Sequence, residues 1–321
     1  MEGGWQMKNI SILMLIFITA WVLVNNSVVN PYIAAIKNTA YPAVSQKNPL
    51  YQSIVEKAPT YETPASDAKI DRVWKAIPGY NGIKVDIHAS YINMKKKGEF
   101  DAQKLVFSQI KPKVHLKDLP PSPIYKGHPD KPMVSFIINV AWGNEYLSNI
   151  LATLKRHHVT TSFFLEGNWV KKNPELAKMI VSAGNEVGNH SYSHPDMKLL
   201  SAAQTRAQMT RTNEVIEAAT GAKCEWFAPP SGSYREETVR IAADLKLKTV
   251  MWTVDTIDWQ KPSPETLINR VLPKVGNGSM ILMHPTEATA KSLDRLITLI
   301  EKKGLKIGTV TELMNEERIL K

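Results

Sequence analysis

Hydrophobic and polar positions change rhythm several times along the chain. No charged residue occurs from Asn9 to Val24, and the run is apolar all round. With Lys8 before it and Asn25-Asn26 after it, the run has the length and flanks of a secretory h-region, and its apolar heart is short for a helix crossing a ~30 Å hydrocarbon core. Residues 1–30 are therefore expected to be a signal peptide or a signal anchor. Export to the extracellular face of the membrane or the cell wall follows, with membrane anchoring through residues 10–24 open beside release. Residues 31–65 are polar and interrupted by prolines at 31, 42, 49, 59 and 64, which predicts a linker. A small α/β module is expected over residues 66–118. Ser66-Asp67 would cap a helix over 68–76, residues 83–88 alternate like a half-buried strand, and 104–107 read as a second strand. Leu119-Pro120-Pro121-Ser122-Pro123, continuing to Pro129 and Pro132, predicts a stiff linker over 119–132.

From residue 133 to 321 the rhythm becomes strand, helix, strand. Short β-rich runs occur at 134–140, 160–165, 224–227, 249–254 and 279–283. Amphipathic helical stretches lie between or after them, at 145–157, 174–183, 202–219, 236–246, 265–274 and 290–303. Such alternation implies parallel pairing with right-handed crossovers, and in a closed barrel of this kind the C-terminal ends of the strands gather at one mouth. The polar residues at those ends are Asn139, then His190 and His194, then Pro229-Pro230-Ser231-Gly232, then Asp255, Asp258 and Trp259, then His284.

Composition narrows the chemistry. At 43% hydrophobic the chain of 321 residues can bury a sizeable core. The single cysteine, Cys224, excludes an internal disulfide and a multi-cysteine zinc site, and in its apolar run it reads as a small buried hydrophobe. Forty Lys and Arg against thirty Asp and Glu give a net charge of +10, which favours anionic surroundings. The basic residues are scattered, without an arginine-rich arm or a nucleic-acid motif, so nucleic acid is not an expected partner.

Gly188-Asn-His-Ser-Tyr-Ser-His-Pro195 holds two histidines four residues apart. A helical segment would put both on one face, within reach of one zinc-like ion. These residues, together with Asp255-Thr-Ile-Asp258-Trp259, Ile281-Leu-Met-His284 and Thr161-Ser-Phe-Phe-Leu-Glu-Gly167, resemble in order the motifs of the NodB-homology polysaccharide deacetylases, a carbohydrate esterase family of exported bacterial proteins. The resemblance covers residues 134–312. It implies an α/β fold, an irregular (β/α) barrel of the NodB-homology type with about seven strands, preceded by the small α/β module and the N-terminal apolar segment. It also implies metal-dependent hydrolysis of acetyl groups on N-acetylated sugars. His190 and His194 would bind a divalent metal, zinc ahead of cobalt or others. His284 would be the general acid, oriented by Asp258. Trp142, Pro230, Tyr234, Asp255 and Trp259 would line a groove for peptidoglycan or another acetylated glycan.

The departures fall on the same site. The family's Thr-Phe-Asp-Asp-Gly corresponds to Ile137-Ile138-Asn139-Val140-Ala141, so Asn139 stands at the base position and Val140 at the third ligand position. An amide does not accept a proton near pH 7, and valine has no donor atom. The arginine expected before the prolines is Ala228. An arginine left without its carboxylate would be an uncompensated charge in a partly closed site, so losing both costs less than losing one. Ser135 and Asn144 are the nearest polar alternatives, and neither is a carboxylate. Glu145 could supply one, although at the start of a helix it also suits the helix N-terminus. The sequence thus leaves a deacetylase of weak or absent activity, with a non-catalytic glycan-binding or regulatory wall protein as the alternative. A different hydrolysis using His190, His194 and Asp255 or Asp258 is a third reading.

Overall fold

The structure, a computed structural model, describes residues 48–319 together with Met14, Phe17 and Trp21. Apart from those three positions the expected signal segment lies outside the described residues, as does the first part of the expected linker. Among the described residues no helix is long and apolar enough to cross a membrane. The chain divides into two compact units, one of residues up to Glu62 with Lys84–Ser108, the other of Thr63–Ile83 with Gln109–Lys321.

In the first unit, α1 (Pro49–Lys57) starts at Asn48, whose side-chain oxygen accepts from the amides of Leu50 and Tyr51. α2 (Ile87–Met94) starts at Asp86 in the same manner. Leu50, Ile54, Val85, Met94 and Leu105 are buried together, edged by Tyr61 and Phe100. α1 corrects the linker read over 31–65. Pro49 and Pro59 occupy the first positions of a helix and of the turn after it, where a missing N–H breaks no helical bond.

The second unit corrects two further expectations. Residues 68–76 form not a helix but an antiparallel hairpin of β1 (Lys69–Asp71) and β2 (Lys75–Ile77). One oxygen of the Asp71 carboxylate accepts from the amides of Val73 and Trp74, both at 2.8 Å, and this side-chain bond stabilises the turn against the helix. β3 (Gly82–Val85) and β4 (Phe107–Ile110) follow as short strands. The residues read as one module over 66–118 are thus shared between the units. The proline run over 119–132 is a strap bound to the second unit. The Ile124 amide donates to the Thr249 carbonyl, and its own carbonyl accepts from Met251. Lys131 is buried, and its Nζ donates to the carbonyls of Glu312 and Asn315 at 2.5 Å each.

The rest of the second unit is a curled parallel sheet clothed in helices, the α/β barrel that the resemblance implied. Its strands are β5 (Met133–Val140), β6 (Ser162–Leu165), β7 (Glu186–Asn189), β8 (Trp226–Phe227), β9 (Lys248–Thr249), β10 (Val254–Asp255), β11 (Met280–Met283) and β12 (Lys306–Gly308). Their order is β10-β11-β5-β6-β7-β8-β9, with β12 also paired to β5. The helices are α3 (Asn144–Arg156), α4 (Gly167–Lys172), α5 (Pro174–Ser182), α6 (Ala202–Thr220), α7 (Glu236–Asp244), α8 (Pro264–Val271), α9 (Glu287–Lys302) and α10 (Val310–Met314).

β5 is buried at every position, as a central parallel strand covered on both faces must be. Its side chains sort by parity. Val134, Phe136, Ile138 and Val140 pack toward the helices, against Leu147, Ile150 and Leu154 of α3 and Leu293, Leu296 and Ile297 of α9. Met133 and Ile137 pack on the other face, inside the curl, with Phe164, Leu282 and Leu313. Asn139 shares this inner parity at the C-terminal end of the strand, and that places it at the mouth.

Candidate functional site

His190 follows directly on β7, its amide bonded to the Leu165 carbonyl. It is 1% exposed, and its Nδ1 donates to the Ala228 carbonyl at 2.8 Å, leaving Nε2 as the free nitrogen. Burial, with His194 beside it, pushes its pKa down to about 3. The two imidazole rings lie 5.1 Å apart, edge to face. The helical segment expected to bring them together is absent. Ser191 and His194 instead take positive φ, 64° and 54°, and this folds the backbone back on itself. Asn189 accepts from the Ser191 amide, Ser191 Oγ accepts from the His194 amide, and Gln208 on α6 accepts from the amides of Tyr192 and Ser193. The spacing of the two histidines was visible in the sequence. Asn189 and Ser191 stand inside the same motif, but their bonds to the loop amides could not be read from it, and nothing in the sequence marks Gln208.

On the other side of the mouth, His284 follows β11 and its Nδ1 donates to Asp258 Oδ1 at 2.8 Å. Asp258 is fully buried, and its Oδ2 accepts from the His284 amide at 2.6 Å and from the Thr289 hydroxyl at 2.6 Å. The Thr286 hydroxyl stands at 3.4 Å. Burial by itself would raise the carboxyl's pKa, but the His284 ring, Thr289 and the His284 amide together hold it below its ordinary value. Thr286 also caps α9 by accepting from the Thr289 amide. Its position just before a helix was a readable signal for that part of the site.

Trp142 stacks on His284, ring centroids 5.8 Å apart and planes 11° from parallel. Trp142 and Trp259 are 47% and 54% exposed, aromatic faces open to a ligand. Both line a cleft of about 630 Å³ that includes Asp258, Lys261 and Glu287. Asp255 is engaged in its own turn, accepting from the Ile257 amide. Pro230 is buried at the start of a tight turn in which Ser231 takes φ 52°. The hydroxyls of Tyr234 and Tyr125 are 2.9 Å apart, and burial pushes the Tyr234 hydroxyl well above its usual pKa. Five of the eight non-glycine residues with positive φ among the described residues belong to these loops: Ser191, His194, Ser231, Ile257 and Lys261. For a β-branched residue such as Ile257 that conformation is strained.

At the positions that differ from the family pattern, Val140 is fully buried among the helix-side apolar residues and Ala228 is fully buried on the inner face. Asn139 is 4% exposed, and its Oδ1 is buried without a hydrogen-bond partner. Glu145 stands in the exposed first turn of α3. Among the described residues no third His, Cys, Asp or Glu joins the histidine pair in a group able to hold a metal ion. Catalytic zinc sites use three protein ligands, so this donor set does not fit the ion that the family's reaction requires.

Comparison with known proteins agrees with this geometry. The polysaccharide deacetylase family profile matches residues 126–250. The crystal structure of BA3943 from Bacillus anthracis, described as a CE4 family pseudoenzyme, is 55% identical and superposes with a TM-score of 0.81, covering 84% of this chain and 96% of that one. A mutant of that pseudoenzyme, described as having restored enzymatic activity, is 54% identical with the same TM-score, over 84% of this chain and 99% of that one. The peptidoglycan-N-acetylglucosamine deacetylase of Bacillus cereus is 32% identical over 179 residues, 54% of this chain and 65% of that protein. With the barrel, the ordered motifs and this likeness in place, the chain belongs to the polysaccharide deacetylase (CE4) family, as a member whose active site is degenerate.

Proposed function

We propose that this protein is a non-catalytic deacetylase-family protein that binds cell-wall glycan in the inherited groove. One observation carries the reading. The base, third-ligand and arginine positions hold Asn139, Val140 and Ala228, while the histidine pair, the Asp258–His284 pair and the strained loops around them persist. Loss of a positioned base alone costs roughly 10²- to 10⁴-fold, and here the third ligand is lost with it. Trp142 and Trp259 supply faces for sugar rings. Peptidoglycan is the favoured glycan, because relatives from Bacillus cereus and Listeria monocytogenes are peptidoglycan-N-acetylglucosamine deacetylases. The apolar run at residues 10–24 supports placement outside the cell, signal-anchored or released.

Acetate release from acetylated chitin oligomers and from peptidoglycan, with bound metal measured on the same sample, tests this. The unaltered protein should release no acetate and retain no stoichiometric zinc. The triple variant Asn139→Asp, Val140→Asp, Ala228→Arg should gain metal and turnover together, by about 10²-fold or more. Position 140 lies in an apolar cluster, so circular dichroism must show that the variant is folded. Robust turnover by the unaltered protein that vanishes on His194→Ala would overturn the reading.

A further inference from the structure

Apart from the glycan groove, we propose that the β1–β2 hairpin is a docking surface for an anionic phospholipid bilayer. Its apolar turn enters the headgroup layer, and its cations rest on the lipid phosphates.

The hairpin departs from the usual make-up of a surface turn, whose positions favour Gly, Pro, Asn, Asp and Ser. Asp71 pairs with Lys75 across a three-residue loop, Arg72-Val73-Trp74, and Lys75 takes the left-handed conformation, φ 60°, that closes such a loop. Ile70, Val73 and Trp74 are 46%, 63% and 38% exposed, so three large apolar side chains meet water within five residues. Cations are interleaved with them. Lys69, Arg72 and Lys75 are all exposed, and the Lys126 Nζ stands 5.5 Å from the Trp74 ring centroid. Asp71, the hairpin's one carboxylate, is held to the turn by the Val73 and Trp74 amides. The hairpin thus carries three cations against one carboxylate, with Lys126 as a fourth cation beside it.

Shape and composition together select the partner. A small ligand is held in a concave site, whereas a hairpin turn is convex and suits a fluid layer that closes around it. Tryptophan settles where a membrane meets water, and Lys and Arg lay their aliphatic stems on apolar surface while their charged heads reach outward. Binding of this kind adds buried apolar area to attraction by anionic lipid. An anchor at residues 10–24 would keep such a surface within reach.

The test measures depth at the hairpin rather than vesicle binding, because the full chain brings its own apolar run. In a Cys224→Ser background, Val73→Cys carries a nitroxide, and the full chain is reconstituted into vesicles of phosphatidylglycerol with phosphatidylcholine or of phosphatidylcholine alone. In the anionic vesicles, relaxation by oxygen relative to a water-soluble nickel chelate should rise severalfold at residue 73. It should not rise at Leu199→Cys, a control site that is 81% exposed. Raising salt to about 1 M, where the screening length is ~3 Å, should largely reverse the rise. Replacing Lys69, Arg72 and Lys75 by Gln should lower the ratio of immersed to free hairpin about fivefold per cation removed. Independently of any label, brominated phosphatidylglycerol should quench the tryptophan emission of the unaltered protein more than that of Trp74→Phe. A label that stays aqueous in both vesicles, or sinks equally in both or at Leu199 as well, would overturn the proposal. Shielding from oxygen and nickel alike would also overturn it, since the hairpin would then be covered by protein.

Discussion

His190 shows how one buried side chain ties the site to the stability of the fold. In the unfolded chain an imidazole binds its proton near pH 6.5, whereas burial pushes this one down to about 3. Between those values the unfolded state holds more protons, so stability falls as pH drops from 6.5 toward 3 and the contribution is gone below it. At pH 4 the loss should be on the order of 3 kcal/mol. Urea midpoints at pH 7 and pH 4 check this: the unaltered protein should lose more between the two than His190→Gln, which has no imidazole to charge. Equal losses would show that His190 is not held neutral by the fold. The same residue explains part of the retained motif. Its Nδ1 bond to the Ala228 carbonyl ties β7 to the segment after β8 and needs no metal.

Among the elements, the link between β5 and α3 sets the shape of the groove. Gly143 takes φ 85°, and a Cβ there would stand 1.9 Å from the Pro285 carbonyl oxygen. Only glycine lets this loop press against the segment after His284, and Trp142 reaches its stacking position beside it. Gly143→Ala should cost roughly 1–3 kcal/mol and separate Trp142 from His284. A lower urea midpoint together with altered tryptophan fluorescence would show it, and an unchanged spectrum would mean that the loop does not position Trp142. What the sequence disclosed follows from the same physics. The long helices, whose one-sided burial writes a clear periodicity, and β5, whose burial on both faces writes a nearly continuous apolar run, were legible almost to their ends. β7 was not, because Glu186-Val-Gly-Asn is too polar to read as a strand, and the single run over 249–254 is in fact β9 and β10 separated by Val250, bridged to Ile124, and an irregular stretch. The helix read over 68–76 failed because a side-chain bond from Asp71 outweighs local helical preference. At the site, the histidine pair and the missing carboxylates were plain, but the left-handed residues that bring the rings together depend on tertiary contacts that sequence order does not show.

For the whole molecule, two different forces should hold the protein to its glycan, and salt separates them. The net charge of +10 attracts any anionic wall polymer over distances set by screening, which shrink from ~30 Å at 0.01 M salt to ~3 Å at 1 M. The groove acts through stacking on Trp142 and Trp259 and through uncharged hydrogen bonds, and these are nearly indifferent to salt. Retention on intact cell-wall sacculi should therefore fall steeply as salt rises, while affinity for a neutral chitin oligomer stays nearly constant. A double substitution, Trp142→Ala with Trp259→Ala, should abolish the oligomer affinity and leave the salt-sensitive retention in place. If retention on sacculi and oligomer affinity instead decline together with salt, charge alone would account for the association, and the groove would have no part in holding the protein at the wall.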